Sequence, residues 1–189
     1  MRVLNTDELK IEKDLIIGQI IDGAVFVYPT DTIYGIGCNA QNSKSVKKIR
    51  RLKARATNPF SVIVPSIEWI KENCIVTDNA EEWLDKLPGP CTLILKLKNQ
   101  KCVAKDVNPG LSTLGVRIPS HWISKIVAEA EIPVVTTSVN RSGQDYMTSL
   151  EDLDSAVKKG IDFVLYEGAK EGRPSMIVNL TGAVEVIER

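Results

Sequence analysis

Hydroxyl, carboxylate and cationic side chains gather at four places in this chain of 189 residues. The first is Tyr28-Pro-Thr-Asp-Thr-Ile-Tyr-Gly-Ile-Gly37. There Thr30, Asp31, Thr32 and Tyr34 crowd into a stretch punctuated by Pro29, Gly35 and Gly37. Proline fixes a backbone angle, and glycine admits tight turns or a close approach of backbone to a ligand. The second is Lys53-Ala-Arg55, at the end of a basic run with Lys47, Lys48, Arg50 and Arg51. Lysine as a point charge and arginine as a planar fork together suit phosphate. The alternative is an exposed row of cations complementing a helix C-terminus. The third, Ser138-Val-Asn140, follows an apolar run. In extended backbone its two polar side chains point one way and Val139 the other, toward a core. Serine and asparagine both donate to phosphate or carbonyl oxygens, while Asn-x-Ser-Gly is equally turn chemistry. The fourth is Arg117, inside Gly115-Val-Arg-Ile118. A guanidinium in an apolar strand needs an acceptor, because an unpaired buried charge is costly. Either a ligand carboxylate or an internal acidic residue would serve.

Together these groups describe a cleft rich in hydroxyls and cations, with no metal-ligand cluster and no evident general base. That combination suits nucleotidyl transfer, in which positioning and charge stabilisation do most of the catalysis. The P-loop pattern Gly-x-x-x-x-Gly-Lys-Ser/Thr is absent from the sequence, so a P-loop NTPase is excluded. Cys38, Cys74, Cys91 and Cys102 are scattered, without a Cys-x-x-Cys pair. A zinc site is therefore not expected, and the four read as small buried hydrophobes. The single histidine, His121, follows Pro119-Ser120 at a helix start and reads as a surface residue near a cap rather than a catalyst.

The elements that must position these groups alternate between helix and strand patterns. Thr6 is placed to cap a first helix carrying Leu9, Leu15, Ile16 and Ile20 and ending near Gly23. A strand over 24–28 leads into the threonine-rich loop. Ser43 is placed to cap a second helix with Val46, Ile49 and Leu52 at helical spacing. Strands follow at 61–64, 91–97, 115–118 and 133–137, with helices at 67–72, 79–87 and 120–130. A long irregular connection spans 101–113. Ser149-Leu-Glu-Asp152 is a capping-box pattern opening a helix. Three short strands are expected at 163–166, 176–180 and 184–187. Strict alternation fails in the second half, so the sheet is expected to be mixed, parallel and antiparallel, with flanking helices.

One domain over residues 1–189 is expected from the length. Formal charge is balanced at +0 and aromatic residues make up 5%, so no global field advertises a nucleic acid or membrane partner. The N-terminus turns polar at once and no apolar run is long enough to cross a bilayer, so the expected location is the cytoplasm.

The chain resembles the YrdC-like threonylcarbamoyl-AMP synthases, in their short single-domain form. The resemblance rests on Pro29-Thr-Asp-Thr-Ile-Tyr-Gly35, Lys53-x-Arg55, Leu87-Pro-Gly-Pro-Cys-Thr92, Val116-Arg-Ile-Pro119 and Ser138-x-Asn140 followed by Ser142-Gly143. It implies a twisted mixed sheet with a large concave, positive face. It also implies synthesis of threonylcarbamoyl-AMP and pyrophosphate from L-threonine, bicarbonate and ATP, with magnesium carried by the nucleotide rather than held in a dedicated metal site. The product would serve threonylcarbamoyladenosine modification of tRNA through downstream transfer proteins. Carried over by residue, Lys53 and Arg55 are implied as catalytic, and Lys53, Arg55, Asn58, Ser138, Asn140 and Thr148 as ATP-binding. Thr30, Tyr34, Thr113, Arg117 and Ser175 are implied for threonine. The chain departs from the family pattern at Ala56-Thr57, at Ile63 or Val64 where many members carry histidine, and at Met176 where threonine is usual. These departures keep a paralogue with another substrate in play, and a separate alternative is a double-stranded RNA or tRNA-binding module that uses the same basic concavity for phosphate contacts.

Overall fold

The computed structural model describes residues 1–188. Its centre is a ten-stranded sheet in the order β1-β8-β2-β3-β7-β4-β6-β5-β9-β10. The strands are β1 (Arg2–Leu4), β2 (Phe26–Tyr28), β3 (Gly35–Gly37), β4 (Ser61–Ile63), β5 (Cys91–Lys96), β6 (Thr113–Arg117), β7 (Val134–Ser138), β8 (Phe163–Leu165), β9 (Met176–Asn179) and β10 (Glu185–Ile187). The pairs β1–β8, β2–β8, β4–β6 and β5–β9 are parallel, and the others are antiparallel. The mixed sheet expected from the broken alternation is therefore present. Two strands had no clear signal. β1 is only three residues long. β3 holds Gly35 and Gly37, which read as turn residues; here a Cβ on Gly37 would lie 2.2 Å from the Val135 carbonyl oxygen, so glycine lets β3 dock on β7.

Seven helices flank the sheet: α1 (Thr6–Ile11), α2 (Lys13–Asp22), α3 (Ser43–Lys53), α4 (Ile67–Asn73), α5 (Asp78–Leu84), α6 (Ile123–Ala130) and α7 (Ser155–Gly160). Several starts differ from expectation by one residue, because asparagine outcompetes its neighbours as a cap. Asn5, not Thr6, caps α1 and forms a capping box with Glu8. Asn42, not Ser43, caps α3 and accepts from Ser45 N–H. The single first helix is in fact two, broken at Glu12, which ends α1 and pairs with Arg2 of β1. Gly23 ends α2 in the left-handed conformation, as its position implied. Ser149 does form a capping box with Asp152, but it opens only a short 3-10 turn over Leu150–Asp152. The α7 helix begins later, capped by Asp154. The fourth and fifth helices and α6 occupy the expected regions with shifted ends.

The two faces of the sheet have different fates, and strand alternation assigns each residue to one of them. Val27, Ile36, Val62, Leu93, Val116, Val135 and Val178 point to the face covered by α3, α4 and α5, and form the larger core. Phe26, Tyr28, Ile63, Val134, Phe163 and Leu165 point to the other face. There they pack against Ile16 and Ile20 of α2 and Ile123, Ile126 and Val127 of α6. These helices cover only the β1-to-β4 half of that face. The half built by β6, β5 and β9 stays open, and the cleft lies there. All four cysteines are buried and unpaired.

Candidate active site

A cleft of about 470 Å³ opens on the uncovered half-face. Alternation again selects its lining: Thr113, Gly115 and Arg117 from β6, Thr92 and Ile94 from β5, Ile177 and Asn179 from β9, and Thr136 and Ser138 from β7. Gly115 sets the floor, since a Cβ there would lie 2.5 Å from Ser61 Oγ and 3.3 Å from Thr92 Cγ2. The charged side chains of the lining are Arg55 and Arg117, with no carboxylate among them. The cleft therefore offers hydroxyl groups and two fixed cations, a donor set for anionic ligands.

Arg117 is 5% exposed. Its NH2 donates to Asp31 Oδ1 at 2.6 Å, and Asp31 Oδ2 accepts the Ser120 N–H at 2.8 Å. Burial pushes the Arg117 pKa down, and the neighbouring Asp31 opposes this. The internal acidic partner thus exists, and Arg117 lines the cleft as well. Its Nε–H is the one buried side-chain donor without a partner among the described residues. That nitrogen is sealed inside the cleft wall.

Thr30 and Thr32 form the wall beside it. The Thr30 hydroxyl donates to Ile33 O at 2.7 Å and accepts the Thr32 N–H at 3.1 Å, with Thr32 Oγ1 2.9 Å away. Across the cleft, Thr92 Oγ1 and Ser175 Oγ lie 3.0 Å apart. Ser175 ends an irregular strap, residues 166–175, that returns from β8 to β9 over the loop after β2. Tyr34 fastens this strap. Its hydroxyl donates to Gly168 O at 2.6 Å and accepts the Glu167 N–H at 3.1 Å, and its ring stacks on Tyr166. Tyr34 is fully buried and does not line the cleft. Farther along the strap, Glu167 accepts from Trp122 Nε1 and meets His121 Nε2 and Lys170 Nζ. His121 is accordingly half-buried and partnered, not the surface residue its position suggested.

The Lys53 expectation needs the largest correction. The basic run reads as an exposed helix end, yet Lys53 is 2% exposed. Its ammonium donates to the Ser138 and Asn140 carbonyl oxygens and, at 2.8 Å, to Asn140 Oδ1. Burial, with a smaller effect from Arg55, lowers its pKa to about 7, while three oxygen acceptors favour the charged form. Lys53 does not line the cleft; it ties down the chain that leaves β7. On that chain Ser138 Oγ donates to Asn140 Oδ1 at 2.7 Å, and Asn140 Nδ2 donates to Gln144 O at 2.6 Å. Ser138 does face the cleft and Val139 is buried in the core, as alternation required. Arg55 follows the left-handed residue Ala54 and reaches the cleft, lying over the Phe60 ring with Nε on Asn58 O and NH2 on Pro59 O. Arg50 is also buried, with its guanidinium holding carbonyls of residues 55, 56, 58, 106 and 107. Lys44, Lys47 and Arg51 form a shallow depression on α3, on the opposite side of the sheet from the cleft, while Lys48 pairs with Asp162.

Of the expected site residues, Thr30, Arg55, Thr113, Arg117, Ser138 and Ser175 come together around the cleft. Lys53, Asn140 and Tyr34 stand behind its walls. Asn58 and Thr148 are exposed and do not line it; Thr148 Oγ1 bonds Asp152 instead. Ser61, Thr136, Thr137 and Tyr146 line the cleft but carry no motif in the sequence. Strand parity is the signal for Ser61 and Thr136, since each occupies the cleft-facing register of its strand. Among the described residues no group of three or more His, Cys, Asp or Glu side chains could hold a metal ion, and no helix is long and apolar enough to cross a membrane.

Fold and cleft together define an α/β protein with an open, mixed sheet and an anion-accepting site on its uncovered half-face. The family model of the Sua5, YciO and YrdC proteins, described as telomere recombination, matches residues 19–189, and the chain belongs to that family. A Methanocaldococcus jannaschii protein, named by inference a threonylcarbamoyl-AMP synthase, is 37% identical over 94% of this chain and 84% of its own length. The threonylcarbamoyl-AMP synthase of Pyrococcus abyssi is 32% identical over 87% of this chain, which spans about half of that relative (49%). The crystal structure of Pyrococcus abyssi Sua5 complexed with L-threonine has the same fold. It superposes with a TM-score of 0.84 at 29% identity, over 96% of this chain and 54% of that one.

Proposed function

We propose that the chain is an L-threonylcarbamoyladenylate synthase, a nucleotidyltransferase that forms threonylcarbamoyl-AMP and pyrophosphate from L-threonine, bicarbonate and ATP. The observation that carries this reading is the Arg117 guanidinium, held by Asp31 in the lining of a cleft without carboxylates. Such a donor suits an amino-acid carboxylate better than it suits a nucleobase or an RNA surface. The relatives named for this activity and the threonine-bound relative support it.

In this reading Thr30, Thr113, Arg117 and Ser175 hold the threonine end. Arg55 and Ser138 hold the phosphates, with Lys53 and Asn140 fixing Ser138 from behind. Threonine nitrogen and bicarbonate combine to a carbamate with loss of water. A carbamate oxygen then attacks the α-phosphorus and pyrophosphate leaves. The carbamate is already anionic, so no protein base is needed, and fixed cations offset the charge developing on phosphate. Magnesium would arrive with ATP, bound through its phosphates. The product would pass to proteins that modify tRNA, in the cytoplasm. Binding of double-stranded RNA or tRNA itself would fall to the basic depression on α3, away from the cleft.

The purified chain is expected to release pyrophosphate only when L-threonine, bicarbonate, ATP and magnesium are all present, with threonylcarbamoyl-AMP detected by mass spectrometry. Release that ignores threonine, or no adenylate at all, overturns the assignment.

A further inference from the structure

We infer that Asp31 is a positioning residue: it fixes the Arg117 guanidinium in the cleft wall in the orientation that meets a ligand carboxylate. The inference rests on the threonine reading of the cleft and adds a residue to it. Asp31 lies between Thr30 and Thr32, both in the cleft wall, yet its own side chain is withdrawn from the lining. Both its oxygens are committed. One accepts from Arg117 NH2 at 2.6 Å, and the other accepts the Ser120 backbone N–H at 2.8 Å. The carboxylate thereby joins the loop after β2, the end of β6 and the lead into α6. The pair is nearly sealed, with side-chain exposures of 6% for Arg117 and 11% for Asp31.

A pair serving stability alone would be expected to satisfy the guanidinium, because a buried donor left unpaired is costly. Asp31 instead takes NH2 and leaves Nε without a partner. Held at one nitrogen, a planar guanidinium loses its freedom to turn, and its Nε–H keeps a fixed direction. The absence of carboxylates from the lining leaves no competing anion in the cleft. Asp31 therefore does two things: it compensates a buried charge before ligand arrives, and it fixes the orientation in which the guanidinium meets an incoming carboxylate.

The test uses the full chain with isotope-labelled arginine. In the parent, Arg117 Nε–H should give a resolved, slowly exchanging resonance, identified by its loss in Arg117→Lys. In Asp31→Asn, which keeps an acceptor for Ser120, that resonance should shift and exchange at least about tenfold faster. An unchanged resonance overturns the inference. Calorimetry then compares L-threonine with L-threoninamide, which lacks the carboxylate. The parent should prefer threonine by about tenfold or more, and Asp31→Asn should lose that preference through the threonine arm alone. Asp31→Glu, which keeps the charge, should retain part of it; this variant carries both measurements if Asp31→Asn does not fold. A preference equal in parent and variants overturns the inference. So does equal weakening of both ligands with a lowered melting temperature, the mark of a merely structural role. A parent that binds neither ligand removes the threonine reading, and the resonance alone then decides whether Asp31 sets the guanidinium.

Discussion

Lys53 and Arg55 are two residues apart in the sequence and differ in what their loss would do. Lys53 is sealed behind β7 with three oxygen acceptors, whereas Arg55 reaches the cleft over Phe60. Lys53→Met should cost roughly 1–3 kcal/mol of stability, by the usual value of lost buried hydrogen bonds, and should free the Ser138–Asn140 segment. Arg55→Ala gives up partly exposed bonds to Asn58 and Pro59, so it should cost less stability than Lys53→Met, and it should weaken ATP about tenfold, as expected for one charge-assisted phosphate contact. Denaturation and ATP calorimetry on both variants check the contrast; equal effects would dissolve it. Lys53 also makes a pH prediction. Its amine has an ordinary value of 10.5 and sits at about 7 in the fold. Between those values the unfolded chain binds the extra proton, so this group's contribution to stability rises with pH across that window. Below it both states are protonated and the burial penalty is felt in full. The parent should therefore gain stability relative to Lys53→Met on going from about pH 6 to about pH 9; parallel curves would contradict the lowered value. The sequence singled out Lys53 but did not show that it is buried behind the cleft wall. A basic run on a helix looks solvated until the fold places a strand end beside its last turn.

At the scale of the strand, alternation separates chemistry from packing. On β6, Thr113, Gly115 and Arg117 face the cleft, while Leu114 and Val116 are buried in the core. Gly115→Val should fill the floor against Ser61 and Thr92 and weaken threonine binding by about tenfold or more. Leu114→Ala, one residue away, should instead cost roughly 2–5 kcal/mol of stability and leave the affinity of the folded protein unchanged. Threonine calorimetry and chemical denaturation of the two variants would show the split, and similar effects in both would refute it. Most helices and strands were legible from periodicity. Helix starts slipped by one residue where asparagine stood next to serine or threonine, since several polar side chains compete for the same exposed N–H groups. The β3 strand was not legible because Gly35 and Gly37 carry no strand propensity; the Tyr28 ring against Gly35 and the Val135 carbonyl against Gly37 explain them. The strap fastened by Tyr34 was equally hidden: its contacts with Gly168 and Glu167 span more than a hundred residues.

For the whole molecule, the sheet carries both the fold and the cleft, and its ends carry a liability. The outer edge of β10 has no strand partner among the described residues, and Val184, Val186 and Ile187 are exposed there at 42%, 49% and 43%. Exposed apolar edges invite pairing with other chains. Val186→Lys should reduce self-association measured by light scattering and leave the melting temperature nearly unchanged; unaltered scattering would exonerate the edge. The expectation of a mixed sheet with flanking helices was legible from the broken alternation of elements, but the strand order was not, because it depends on pairings between segments far apart in the chain. The placement of Arg117 in β6 has one more consequence. If β6 slipped by one residue against β4 and β5, every side chain would change face. Arg117 would enter the apolar core opposite Asp31's side of the sheet, and Leu114 and Val116 would surface in the cleft. A neutral strand of alternating valines and threonines would tolerate that error far better than one carrying a guanidinium, whose burial without a partner is prohibitive. The cation that gives the cleft its chemistry thereby also acts as a checksum on assembly: a chain that pairs its strands wrongly forfeits stability at the same residue that would have bound the ligand.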